Sequence, residues 1–172
     1  MMVDSRDVAL ISSIDTLLDR VSTLEALKRV KDELKRLKIW SCRFVKVPDD
    51  YYSRTMLERA KCLNPCDVGQ MCKSIVFENV GWDGDKSLPL AQQMSDLTNS
   101  RYYLLVVQYN AKFAADKLRQ CVMQMRPEGE RLSRNKCNFQ LASDGEALTG
   151  FTHNAVCPFG LLNKIPVVLS TA

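Results

Sequence analysis

Two islands of this 172-residue sequence carry side chains whose types and spacing could do chemistry together. The first runs from Gly150 to Pro166 and includes His153-Asn154-Ala155-Val156-Cys157-Pro158-Phe159-Gly160. It has no helical period, and Pro158 and Pro166 forbid a long helix. Gly160 lets the backbone turn sharply or come close to another group. Such a loop presents backbone amides, which can hold a developing negative charge. The second island is Lys73, at the head of the apolar run Ser74-Ile75-Val76-Phe77. A lysine held at a strand end is a fixed cation for a phosphate or a carbonyl oxygen, although its spacing alone also suits a surface lysine.

The rest of the inventory narrows the chemistry. His153 is the only histidine, so a Ser-His-Asp triad has one possible base. Its two readings are a half-buried, hydrogen-bonded side chain and a specificity or proton-relay residue. No G-x-S-x-G turn is present. Cys157 lies inside the loop, where its thiol could shape a pocket or be oxidised. Cys62, Cys66 and Cys72 have no zinc-like spacing and no histidine nearby, so they read as core or surface thiols, and neither metal nor cofactor is expected.

The elements that must position these groups follow from periodicity. Val8, Ile11, Ile14, Leu17, Leu18 and Val21 recur every three or four residues, as do Leu24, Leu27, Val30, Leu34 and Leu37. Ser22-Thr23-Leu24-Glu25 has the form of a capping box between the two stripes, which predicts a helical hairpin or a kinked long helix. The second stripe carries Lys28, Arg29, Lys31, Lys35, Arg36 and Lys38, either a solvated face with i,i+4 pairs or a contact for a partner or tRNA. Residues 39–48 read as extended. A helix starting at Asp49 or Asp50 takes in Met56, Leu57 and Ala60 and ends near Leu63, and Asn64-Pro65 starts a short turn. Strands are expected at 73–80, 101–108, 138–142 and 166–169. Helical segments are expected at 116–125 and 143–148, with an irregular stretch at 86–100. Mixed strands and helices without βαβ repetition make the class α+β.

Composition bounds the partners. The chain is 46% hydrophobic and 26% charged, enough to bury a core, and its net charge of +4 permits an anionic partner without demanding one. Met1 to Asp7 turns polar and acidic at once, unlike a secretory leader, and no apolar run has the length of a membrane span. An odd seven cysteines then suggest reduced thiols and a cytoplasmic protein.

The loop resembles the signature loop of the YbaK/prolyl-tRNA-synthetase-associated domain family, the trans-editing aminoacyl-tRNA deacylases. Leu148-Thr149-Gly150, Asn154 to Pro158, Phe159-Gly160-Leu161 and Ile165 to Leu169 carry the match. Cys72 to Phe77 is similar to the strand that supplies that family's functional lysine. The resemblance covers roughly residues 41 to 170. It implies a compact, mixed-sheet, barrel-like core flanked by helices, here preceded by an N-terminal helical hairpin. Residues 1–40 would then be an extension and 41–172 the editing domain. It also implies hydrolysis of mischarged tRNA without a protein nucleophile: the vicinal ribose hydroxyl or a water attacks, loop amides stabilise the oxyanion and Lys73 anchors the substrate. His153 to Gly160 would line the substrate site. Tyr51, Thr55 and Asn64, at helix ends near the lysine strand, are further pocket candidates. The family's Gly-x-x-x-Pro reads Asn154-Ala155-Val156-Cys157-Pro158 here, and asparagine tolerates the left-handed backbone that glycine would supply. The family continues beyond the Pro-Val strand with further elements where this chain has Ser170-Thr171-Ala172, so the domain is C-terminally short by that pattern, and a partner could complete its sheet. The expected partners are the tRNA acceptor end and, through the N-terminal helices, a synthetase or its complex. A non-catalytic tRNA-binding module and a homodimer paired through the apolar stripe are the alternatives.

Overall fold

The computed structural model describes residues 5–65, 67–111, 114–152 and 154–170. Four strands form one open, mixed sheet in the order β3-β1-β2-β4. β1 (Cys72–Asn79) is antiparallel to β2 (Tyr102–Gln108) and to β3 (Phe139–Leu141), and β4 (Val167–Leu169) runs parallel to β2. The sheet does not close, so the barrel-like core expected from the resemblance is corrected to an open sheet with β3 and β4 as its edges.

Side chains alternate across a strand, and here both faces are covered. Tyr103, Leu105 and Val107 pack with Phe77, Phe139 and the helix Ala115–Gln124, through Leu118 and Val122. Tyr102 and Leu104 pack with Val76, Met94, Leu148 and Ile165 on the opposite face. Burial on both faces explains why Tyr102 to Val107 reads as a continuous apolar run rather than an alternating one.

The N-terminal segment is one helix, α1 (Ser5–Arg36), not a hairpin. No glycine or proline interrupts it. A capping box stabilises a helix start only where the chain already departs from helix, and Ser22 in a helix interior costs a few tenths of a kcal/mol. Asp7 in its first turn and Lys35 and Arg36 in its last complement the helix dipole. Lys28 pairs with Asp32 at 2.9 Å and Arg36 with Glu33 at 3.3 Å on the solvated face. The C-terminal third of α1 is docked: Val30 and Leu34 are buried with Phe151. Val8 to Leu24 are exposed.

α2 (Met56–Leu63) starts later than the aspartates suggested. Thr55 and Glu58 form the capping box, whereas Asp50 precedes a single 3-10 turn at Tyr51–Ser53. The irregular stretch at 86–100 contains one short helix, Leu90–Gln93.

Candidate functional site

β1 begins where β2 ends: Cys72 lies opposite Gln108 and Lys73 opposite Val107, and the Tyr109 amide donates to the Met71 carbonyl at 3.0 Å. A cleft of about 900 Å³ opens at this end of the sheet. Ser74 and Val76 of β1 and Val106 of β2 line it from the sheet, and the turn at Ser143, Gly145 and Glu146 lines another side. Asn154, Ala155, Val156, Cys157 and Pro158 line it together with Lys73. The two islands, some eighty positions apart in sequence, therefore face one space.

The loop's conformation follows from its residues. Asn154 adopts φ +65°, the left-handed conformation that asparagine tolerates better than most residues. The Ala155 amide donates to the Thr152 carbonyl at 3.0 Å, closing a turn. Among the described residues no carbonyl or side chain accepts from the amides of Val156 or Cys157. Two consecutive amides without an acceptor among the described residues, in a loop that lines a cleft, suit an anionic oxygen. Burial pushes the Cys157 thiol up, and the neighbouring Phe159 amide opposes this without reversing it. Cys157 is thus a protonated, half-buried thiol and a poor nucleophile.

The second half of the loop faces away from the cleft. Gly160 sits against α1 with φ +72°, where a Cβ would come within 2.6 Å of the Val30 nitrogen. Arg29 donates from Nε to the Gly160 carbonyl at 3.0 Å and from Nη2 to the Gly150 carbonyl at 2.6 Å. Its guanidinium lies 5.5 Å from the centre of the Phe151 ring. The Gly160 amide donates to Glu33. Phe159 packs beside Val30 and Leu34. Phe159 and Gly160 therefore anchor the loop rather than line the cleft.

Three other expected pocket residues also lie elsewhere. The Thr55 side chain is engaged with Glu58 in the α2 cap, and that hydrogen bonding holds the Glu58 carboxyl below its ordinary value. Asn64 ends α2 at φ +49°. Tyr51 is buried behind the cleft and lines a neighbouring cavity of about 500 Å³. His153 lies outside the described residues, as does Cys66.

Sequence reasoning missed Tyr52, Arg59 and Tyr109. The Arg59 guanidinium lies 5.7, 5.6 and 5.6 Å from the ring centres of Tyr51, Tyr52 and Tyr109. It donates to the backbone carbonyls of Arg54, at 2.9 Å, and Tyr52. The Tyr52 hydroxyl donates to the Asn154 carbonyl, linking this cluster to the loop. Lys73 Nζ lies 6.0 Å from the Tyr109 ring centre. The available signal was the Tyr51-Tyr52 pair four residues before an arginine-bearing helix, which has no meaning until the sheet end brings Tyr109 beside it.

No protein-family model, curated protein or solved structure matches the chain. Among the described residues no helix is long and apolar enough to cross a membrane, and no group of three or more His, Cys, Asp or Glu side chains could hold a metal ion. The described residues give the cleft one lysine, the Glu146 carboxylate, the Cys72 and Cys157 thiols, hydroxyls, loop amides and a tyrosine–arginine cluster.

Proposed function

We propose that the protein is a cytoplasmic aminoacyl-tRNA editing hydrolase that deacylates mischarged tRNA. The observation that carries this reading is the shared cleft of Lys73 and the 154–158 loop, where the Val156 and Cys157 amides donate to no acceptor among the described residues. An aminoacyl ester is already activated and carries a ribose hydroxyl beside the reacting carbonyl. The vicinal hydroxyl, or a water positioned by it, adds to the carbonyl carbon. The negative charge collects on the carbonyl oxygen, where the two amides stabilise it. The carbon–oxygen bond to the ribose then breaks, and the ribose oxygen leaves with a proton. Direct attack by water releases the free amino acid. Attack by the vicinal hydroxyl moves the ester to the neighbouring oxygen, and water completes the hydrolysis. Lys73 grips a phosphate or the carbonyl oxygen, fixing the ester against the loop. The raised pKa of Cys157 agrees with a route that uses no thiolate. Ala155, Val156 and Pro158 give the acyl side small apolar walls, which favours a small amino acid and gives limited discrimination by size.

A panel of correctly and incorrectly charged tRNAs tests this. Selective hydrolysis of one mischarged pair is expected, falling at least a hundredfold in Lys73→Ala with an unchanged melting temperature. A Lys73→Ala protein hydrolysing at the native rate overturns the assignment.

A second reading, a non-catalytic tRNA-binding module associated with an aminoacyl-tRNA synthetase complex, draws on the exposed apolar residues of α1. Retained tRNA binding without hydrolysis of any pair selects it. Pull-down of a synthetase with the full chain, and its loss on deleting residues 1–24, then identifies the docking arm.

A further inference from the structure

The corner of the cleft where Tyr52 meets the Asn154 end of the loop holds an arrangement that ester hydrolysis does not require. Four cation–ring contacts converge there, three on Arg59 and one on Lys73. Significant contacts of this kind occur about once per 70–80 residues in proteins generally, so their concentration within one corner points to a built feature. Among the described residues no carboxylate lies within ion-pair distance of Arg59 or Lys73. Two cations without an ion pair among the described residues thus stand beside aromatic rings at an open cleft.

The second cavity adjoins this corner. Tyr52, Cys72 and Tyr109 line both spaces. Beyond them the cavity is bounded by Tyr51, Leu63 and Met71 and has no charged side chain in its lining. A cationic, ring-lined corner that shares its walls with an uncharged aromatic cavity matches one ligand class well: a phosphate carrying a flat, uncharged heterocycle. Acyl groups or inorganic anions would use one half of it and leave the other empty.

We propose that Tyr52, Tyr109 and Arg59 form a subsite for an unpaired nucleotide, with the base stacked on the tyrosines toward the second cavity and the phosphate held between Arg59 and Lys73. The inference rests on the deacylase reading for its choice of RNA, and it names how the nucleic-acid part of that substrate is held. Stacking on tyrosine is tolerant of base identity, since every base has a π-face. Arg59 is fixed in advance by its bonds to the Arg54 and Tyr52 carbonyls, so little ordering remains to be done on binding. The Tyr52 hydroxyl on the Asn154 carbonyl makes the stacking surface and the amide loop one unit. A nucleotide seated on the rings is thereby placed in register with the loop amides.

Fluorescence anisotropy with an uncharged, single-stranded hexaribonucleotide ending in CCA tests the subsite without any hydrolysis. The native protein binds it, and a blunt RNA duplex of the same sequence binds at least tenfold more weakly. Tyr52→Leu weakens binding of the single strand about tenfold, whereas Tyr52→Phe keeps the ring and stays within about threefold. Lys73→Ala lowers the salt dependence of binding by about one phosphate contact. Native-like affinity in Tyr52→Leu, equal affinity for the duplex, or no binding of the single strand overturns the proposal. The two readings fail separately. Lysine-dependent deacylation with a KM that Tyr52→Leu leaves unchanged keeps the hydrolase and removes the subsite. Tyrosine-dependent RNA binding without hydrolysis of any charged tRNA keeps the subsite and removes the hydrolase.

Discussion

Arg29 Nε donates to the carbonyl of Gly160 at 3.0 Å, joining residues 131 positions apart. The same guanidinium holds Gly150 and covers Phe151, so one α1 side chain closes both ends of the loop that lines the cleft. Hydrogen bonds from a charged donor contribute about 1.5–3 kcal/mol each, and two made by one half-buried side chain are not additive. Arg29→Ala is expected to destabilise the protein by about 2–3 kcal/mol, a fall in melting temperature of roughly 5–10 °C. Arg29→Lys recovers little of it, because an ammonium cannot span both carbonyls as the guanidinium fork does. Thermal melts of the two variants decide this, and native stability in Arg29→Ala would show that apolar packing alone holds the loop.

Cys157 lies in the cleft but is kept as a thiol by its burial. Cys157→Ala is expected to retain deacylation within about fivefold. Alkylation at neutral pH is expected to modify the exposed Cys42, Cys72 and Cys121 first, as identified by peptide mass mapping. Rapid labelling of Cys157 coupled to complete loss of hydrolysis would make it the nucleophile instead.

Tyr102 and Tyr103 are buried at the centre of the sheet, and both phenols are pushed up to about 12. Burial is the main cause for each, and for Tyr102 the hydrogen bond to Asp144 at 3.0 Å adds to it. An unfolded tyrosine ionises near pH 10, so the stability tied to these neutral phenols is complete below about pH 10 and is lost as pH rises toward 12. The expected loss is about 1.4 kcal/mol per phenol per pH unit in that window. Urea midpoints measured from about pH 9 to 12 should fall beyond pH 10, and the fall should be shallower in Tyr102→Phe. A midpoint flat to about pH 12 contradicts the assignment.

Much of the sheet could be read in advance because its strands are strongly apolar and bounded by turn residues. Tyr102 to Val107 and Val167 to Leu169 became strands where the runs lay, and Asn154 took the left-handed backbone inferred from its side chain. What escaped were features that depend on competition between local signals. Ser22 and Glu25 offer a helix start, but unbroken helical propensity on both sides of them carries α1 through. Thr55 and Glu58 offer the same motif and do start a helix, because the chain arrives at Thr55 extended, with ψ 159°. Tyr52, Arg59 and Tyr109 could not be grouped from the sequence, since their proximity depends on the pairing of β1 with β2. The role of Arg29 was hidden among six other cations on the same helix.

Leu10, Ile14, Leu17, Val21 and Leu24 follow alternating four- and three-residue steps and are 47–64% exposed. They lie roughly 160° around the helix from Ala26, Val30 and Leu34, at about 100° per residue. This is the spacing that a two-stranded coiled-coil seam requires, and Lys28 and Lys31 end it at the next two positions. In a parallel pair, Arg20 of each helix stands beside Glu25 of the other. We expect the arm to pair with a second copy of itself. Light scattering at two concentrations should show a dimer that Leu17→Asp returns to monomer without a change in melting temperature. A monomer at both concentrations assigns the seam to a different protein.

α1 is a rod about 48 Å long, from 32 residues rising about 1.5 Å each, and it is fixed to the rest of the molecule at one end only. Its free length is a handle. The grip at the other end is Gly160 pressed against the Val30 backbone, with Arg29 and Glu33 on either side. A load on the handle that lifts Val30 from Gly160 loosens both carbonyl bonds together, and with them the segment that presents the Val156 and Cys157 amides. The arm and the loop that lines the cleft therefore share one point of attachment.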